Sequence, residues 1–333
     1  MDTIYDQMGN SACYACYSLN TEERQRSSSG GVYPLLAREI IKDGGVVFAA
    51  CYDESLNVVH RKLETVSDIP ASQGSKYVAS KLNDTFSAVG EEAKEKRVLF
   101  VGTPCQCAGL ISYLDHNKCN RENVVIVDCV CHGVPSRLAW EEYKKSIKNT
   151  RGELKSVNMR DKSSGWSKGN YSWRETMEDG TTIVTPRREV SFMKGMLANI
   201  YLRPSCCSCR FKGVDRNTDL TLGDYWGVWI HDPEMDDDMG TSLLFVHTEK
   251  GKTLFHSIQN QIKARQIEIE NAVRGNSCIV RSTPYNPKRE LFFSRVENGE
   301  NFISIVDDMT KEPITIRSKR MIKRIAKKIL GGG

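Results

Sequence analysis

The sequence predicts an α/β fold: a mainly parallel or mixed sheet with covering helices in the N-terminal part, plus an α+β C-terminal portion carrying a C-x-x-C motif. Two observations predict it. Continuous apolar, largely β-branched runs at residues 46–50, 98–101 and 124–127 read as strands covered on both faces, and stretches of helical apolar spacing alternate with them. Beyond residue 136 the pattern changes to polar and apolar alternation over residues 151–184, broken by turn signals at Ser164-Gly165 and Asp179-Gly180, as in antiparallel strands.

Taken in chain order, helical spacing over residues 35–41 ends at Gly44-Gly45, and the strand 46–50 follows. Another strand is predicted at 57–60. The run 98–101 enters Gly-Thr-Pro-Cys and a helix over 106–114, and the run 124–127 repeats this pattern into Asp128. Residues 192–202 are predicted helical and lead into Arg-Pro-Ser-Cys-Cys-Ser-Cys. A Leu-Gly-Asp-Tyr-Trp-Gly segment, an acidic loop at 232–238, a strand at 242–247 and a helix at 251–262 follow. The expected organisation is an α/β portion at 1–135, an α+β portion at 136–316 and a tail at 317–333.

Composition narrows the class. With 39% hydrophobic and 27% charged residues, the 333-residue chain is an ordinary globular protein able to bury a sizeable core. No stretch approaches the roughly 20 apolar residues of a membrane span, and the first ten residues lack the basic start and apolar core of a secretory signal, so a cytoplasmic location is expected. In a reducing compartment the 12 cysteines argue for metal or redox chemistry over a disulfide framework. The net charge of +5 resides in residues 317–328, which hold seven basic residues and no acid; without them 40 basic residues face 42 acidic ones, a balance of −2. A nucleic-acid-binding body is therefore not expected. Met321, Ile322, Ile325, Ile329 and Leu330 recur at helical spacing, so the tail reads either as a solvated terminal helix or as a basic amphipathic helix making peripheral contact with a membrane or partner.

Four cysteines stand in chemically suggestive places. Cys105 and Cys131 each follow a strand-like run, where ligands of parallel sheets gather, and Cys206 with Cys209 forms the C-x-x-C. Cys105 also sits near a predicted helix N-terminus, which favours thiolate. Four thiolates suit a 4Fe-4S cluster or a tetrahedral zinc, and a thiol-disulfide switch within the C-x-x-C is the third reading. Cys207 competes with Cys206 as the ligand. Cys51, Cys119 and Cys278 have no partner spacing and read as small buried residues. Ser27-Ser28-Ser29-Gly30-Gly31 before the first helix could receive a phosphate, and Gly74-Ser75-Lys76-Tyr77 offers a turn, a cation and a ring. Neither a G-x-G-x-x-G nor a Walker loop is present.

In order, Ser-Ser-Ser-Gly-Gly, Gly-Ser-Lys-Tyr-Val, Gly-Thr-Pro-Cys-Gln, Cys-His-Gly-Val-Pro-Ser, C-x-x-C and Leu-Gly-Asp-Tyr-Trp-Gly resemble the coenzyme F420 hydrogenase/dehydrogenase beta-subunit family from about residue 17 to 293. The resemblance implies a flavin- and iron-sulfur-dependent oxidoreductase. By motif position it implies a 4Fe-4S cluster on Cys105, Cys131, Cys206 and Cys209, and FAD at Ser29, Gly30, Gly31, Ser75, Lys76 and Thr103. It offers His132 and Asp224 as proton-handling or orienting groups. Relatives often begin with a ferredoxin-like segment; here only Cys13 and Cys16 precede Ser-Ser-Ser-Gly-Gly, and they read as ordinary strand positions. The expected electron partner is thus a separate ferredoxin or other electron-transfer protein. The small-molecule acceptor is a deazaflavin or another organic compound, including one linked to polysaccharide assembly. The rival readings are a zinc-stabilised scaffold without catalysis and a thiol redox sensor.

Overall fold

The computed structural model describes residues 11–311. Among these, eleven strands form two sheets: β1 (Ala12–Ser18), β2 (Val46–Tyr52), β3 (Val58–Leu63), β4 (Val98–Gly102), β5 (Val124–Cys129), β6 (Leu154–Asp161), β7 (Ser172–Met177), β8 (Thr182–Pro186), β9 (Leu220–Asp224), β10 (Ser242–Val246) and β11 (Ile262–Gln266). The larger sheet has the order β11-β1-β10-β9-β5-β4-β2-β3. Its centre, β2-β4-β5-β9, is parallel, and the pairs toward both edges are antiparallel. The fold is therefore α/β on a mixed sheet. Strands from both sides of residue 135 share it, because β9 pairs in parallel with β5 through Val127 opposite Leu220.

The continuous apolar runs occupy the covered centre. Val98, Leu99, Phe100, Val124, Val125, Ile126 and Val127 are all buried. One face of the sheet packs on helix Val32–Lys42 through Leu35, Leu36 and Ile40, together with Leu254 and Phe255 of helix Glu249–Ser257. The other face meets helix Pro104–His116 through Cys107, Leu110 and Leu114.

The alternating stretch forms the antiparallel sheet β6-β7-β8. Its buried face joins helix Arg137–Arg151 and the helices Ser191–Leu197 and Phe302–Met309 around Trp140, Tyr143, Trp173, Phe192 and Phe302. Trp140 meets Phe192 edge to face at 5.3 Å between centroids, and its indole N–H donates to the Leu56 carbonyl at 2.8 Å.

Several boundaries differ from the sequence reading for local reasons. The helix expected over 192–202 runs only from Ser191 to Leu197, because Asn199 turns left-handed (φ 61°) and redirects the chain. Leu202 then bridges to Pro135. The helix expected over 251–262 is Glu249–Ser257, started earlier by Thr248, whose side chain accepts from the Gly251 N–H. Cys13 and Cys16 lie buried in β1, as ordinary strand residues. The tail at 317–333, expected to be basic and amphipathic, lies outside the described residues.

Candidate cofactor site

Parallel pairing of β4 with β5, Gly102 opposite Asp128, carries Thr103 and Cys105 out of one strand and Cys129 and Cys131 out of its neighbour at the same sheet edge. Thr103 caps helix Pro104–His116 reciprocally with Gln106. Cys105 falls in the first turn of that helix, is exposed, and lies 3.3 Å from the Thr103 hydroxyl. The C-x-x-C occupies a short 3-10 turn, Pro204–Ser208, with Cys209 as its extended exit. Cys206 Sγ accepts from the Val134 N–H at 3.4 Å, and the Cys209 N–H donates to Ser282 Oγ at 3.0 Å.

Electrostatics shows which thiols are gathered. Burial raises the Cys131 thiol pKa strongly, and Cys129, Cys206 and Cys105 raise it further while Lys212 opposes them. Burial likewise pushes Cys129 up to about 12, with Asp128 and Cys105 adding to the rise. Cys206 is raised by burial and by Cys105 and Cys209. Cys129, Cys131 and Cys206 resist ionisation first because burial disfavours the charged form and second because neighbouring thiols would repel it. Lys212 is pinned beside them, donating to the carbonyls of Cys131 and, at 2.9 Å, Cys278. A group of partly buried thiols close enough to interact is a donor set that a metal centre would stabilise as thiolates, so their chemistry fits a thiolate-held metal group. Among the described residues, no three His, Cys, Asp or Glu side chains form a ready-made metal cage.

The same sheet edge opens into a cavity of about 380 Å³, within the range of cofactor pockets. Ser29, Gly31, Ser75, Lys76, Thr103, Cys105, Cys131, His132 and Asp224 all contribute to its wall. Two buried nitrogens on residues of this wall, Arg160 Nε and His60 Nδ1, have no hydrogen-bond partner among the described residues. Unsatisfied polar atoms beside a sizeable cavity fit a polar, ring-bearing cofactor.

Gly30, predicted to touch the flavin, is not on the cavity wall. A Cβ there would meet the Cys16 carbonyl at 2.4 Å, and its N–H donates to Ser242 Oγ at 2.9 Å, so this glycine packs the loop onto β1 and β10. Lys76 reaches the wall, but its ammonium donates to the carbonyls of Ser72, Gln73 and Gly74 at 3.0–3.3 Å. Burial lowers its pKa to about 8. Its main visible role is to tie down its own turn. Ser75 donates to Ser28 Oγ at 2.8 Å and Ser29 to the Thr241 carbonyl at 2.9 Å.

His132 faces Asn199 Oδ1 through Nε2 at 2.8 Å and Cys278 Sγ through Nδ1 at 3.5 Å. Cys278, read from sequence as a partnerless buried residue, is only partly buried and has this contact. Asp224 receives both terminal nitrogens of Arg160 at 3.0 and 3.1 Å. Arg160 and Cys129 had no motif to mark them. The signal available was only placement: Cys129 lies two residues before Cys131, and Arg160 ends the first alternating strand.

A family model for the C-terminal part of the coenzyme F420 hydrogenase/dehydrogenase beta subunit matches residues 95–273, more than half the chain and the span containing all four predicted ligand cysteines. The chain belongs to this family. A chain of the F420-reducing [NiFe] hydrogenase complex from Methanosarcina barkeri has a similar fold, with a TM-score of 0.53 and 17% identity, over 87% of this chain and 94% of that one. No curated protein matches the sequence. As a member of the F420 hydrogenase/dehydrogenase beta-subunit family, the chain is a redox-enzyme subunit of a family associated with iron-sulfur clusters. Among the described residues no helix is long and apolar enough to cross a membrane.

Proposed function

We propose that the protein is an iron-sulfur flavoprotein that passes electrons between a partner protein and a small organic acceptor. The single observation that carries the reading is the convergence of the gathered thiols and the mainly apolar cavity, with its few polar groups, on one edge of the parallel sheet. Cys105, Cys131, Cys206 and Cys209 would hold a 4Fe-4S cluster. Ser29, Gly31, Ser75, Lys76 and Thr103 would line the FAD site, with Gly30 packing its loop from behind. When bound, the cluster supplies one-electron and the flavin two-electron chemistry at adjoining positions.

The chain's own residues do the remaining work. Partial burial of Cys129 and Cys131 limits water at the inner thiols, while Cys105 stays exposed, and Lys212 places positive charge next to the group. Arg160, held by Asp224, brings a permanent cation to the cavity wall, where it favours negative charge on a bound ligand. His132, oriented by Asn199, is the neutral group suited to move a proton at its Nδ1. Burial depresses its pKa, which keeps it neutral near pH 7. The donor would be a ferredoxin-like protein. The acceptor would be a deazaflavin, as the name of the hydrogenase neighbour suggests, or another small organic molecule.

Single serine replacements at Cys105, Cys131, Cys206 and Cys209 test the ligand set by visible absorbance and electron paramagnetic resonance after anaerobic purification. Each is expected to abolish or convert the cluster signal, whereas Cys207→Ser and Cys51→Ser retain it. Retention in all four variants would sink the assignment.

A further inference from the structure

Away from the thiol edge, a second cavity of about 390 Å³ opens between the 3-10 turn Ser167–Gly169, the end of β8 and the segments around Trp226–His231 and Arg274. Its wall carries Lys168, Arg187, Arg274 and His231, the aromatic rings of Tyr171, Trp226 and Trp229, and no carboxylate. Among the described residues neither Lys168, Arg187 nor Arg274 pairs with an acid, although 26 ion pairs occur elsewhere. Three cations with no acid partner among the described residues, gathered around one concavity, suit an anion with more than one charge.

The backbone is built to hold this wall. Lys168 adopts a left-handed conformation (φ 56°), unusual for a residue with a side chain, and Gly169 follows at φ 73°. Arg187 Nε donates to the Gly169 carbonyl at 3.2 Å, and its guanidinium stacks 5.1 Å from the centre of Tyr171, which aims the charge along the wall. A Cβ at 169 would lie 2.7 Å from that guanidinium. Trp226 is fixed by stacking on the buried Trp166 at 4.6 Å with planes 11° apart. Trp229, by contrast, makes no ring contact and its indole N–H no hydrogen bond among the described residues, although the side chain is only partly exposed. A half-buried indole, packed on one side against the core and lining the same cavity as two guanidiniums, matches a flat ring attached to phosphates.

We infer that this cavity binds a nucleoside diphosphate, free or as part of a nucleotide-linked compound, with Arg187 and Arg274 on the phosphates and Trp229 against the base. The two cavities share no lining residue, although Arg160 of the first lies over the rings of Tyr171 and Trp226, and the inference does not rest on the proposed electron transfer.

The test is a calorimetric titration of the full-length protein, with the cofactors it retains, using uridine 5′-diphosphate, pyrophosphate and uridine as probes. Saturable binding of the diphosphate is expected, about tenfold or more tighter than either fragment. Arg187→Gln and Arg274→Gln should each weaken it by about tenfold or more, as for loss of a charge-assisted hydrogen bond. Arg274 is exposed, so an unchanged thermal midpoint would show that its variant is folded. Trp229→Leu should weaken the diphosphate and leave pyrophosphate unaffected. No saturable binding, or binding that survives both arginine changes because it occurs in the first cavity, would overturn the inference. Equal affinity for pyrophosphate and the diphosphate would overturn the nucleoside assignment.

Discussion

Two histidines, His60 buried and His247 partly buried, make stability depend on pH with a defined sign. His60 stacks on Phe100 and contacts the Val101 carbonyl at 3.0 Å, and burial lowers its pKa to about 4. His247 is lowered to about 4 by burial and by Arg216. Unfolded, each would take a proton near its ordinary value of 6.5, so below that pH the unfolded state binds more protons. Their stabilising contribution is complete above about 6.5 and is lost as the pH falls toward 4. The slope is up to about 1.4 kcal/mol per pH unit for each histidine. Urea midpoints at pH 7 and 4.5 should therefore drop more for the native protein than for a His60→Asn, His247→Asn variant; equal drops would contradict the account. Residue identity was informative where a side chain meets its motif role, as at Thr103, whose cap with Gln106 sets the turn bearing Cys105. At Gly30 and Lys76 the structure adds roles that the sequence hides, since the glycine permits close backbone packing against Cys16 and the lysine ammonium meets three carbonyls of its own turn.

At the scale of elements, the decisive link is Arg160, which leaves β6 and reaches Asp224 at the end of β9, the Ser28 carbonyl at 2.9 Å and the Tyr77 hydroxyl at 3.1 Å. One side chain thereby fastens the small sheet to the wall of the cavity. Its side chain is 3% exposed, and truncating one member of a buried ion pair strands the other. Arg160→Met is expected to cost about 3 kcal/mol or more in urea unfolding and to weaken FAD retention. Loss below about 1 kcal/mol would show that Asp224 finds water instead. The parallel run of β2, β4 and β5 was legible because buried strands need unbroken apolar sequence, and the antiparallel sheet because its strands alternate. The pairing of β9 with β5 was not, since nothing in Leu-Thr-Leu-Gly-Asp encodes a neighbour more than 90 residues earlier. The early end of the helix at Leu197 was also hidden, because it depends on the left-handed turn at Asn199 that tertiary packing imposes.

For the whole molecule, topology brings Cys105, Cys131, Cys206 and Cys209, distant in sequence, near enough to interact electrostatically. Cys105 and Cys131 follow the adjacent strands β4 and β5, and the C-x-x-C comes near them after the small sheet and its aromatic cluster in the chain. That cluster should behave as a support for the site. Trp140 is buried among Tyr143, Trp173 and Phe192, so Trp140→Ala is expected to cost about 3–5 kcal/mol in denaturant unfolding. A cost under about 1 kcal/mol would mean the cluster is not a cooperative part of the fold. The central claim concerns what the thiols and the cavity hold. Its most direct measurement is the content of iron, acid-labile sulfide, zinc and flavin per chain after anaerobic, iron-replete purification. About four iron, four sulfide and one FAD are predicted, the content of a single 4Fe-4S flavoprotein. One zinc with neither iron nor flavin in a folded preparation would contradict the claim and leave a thiol-stabilised scaffold in its place.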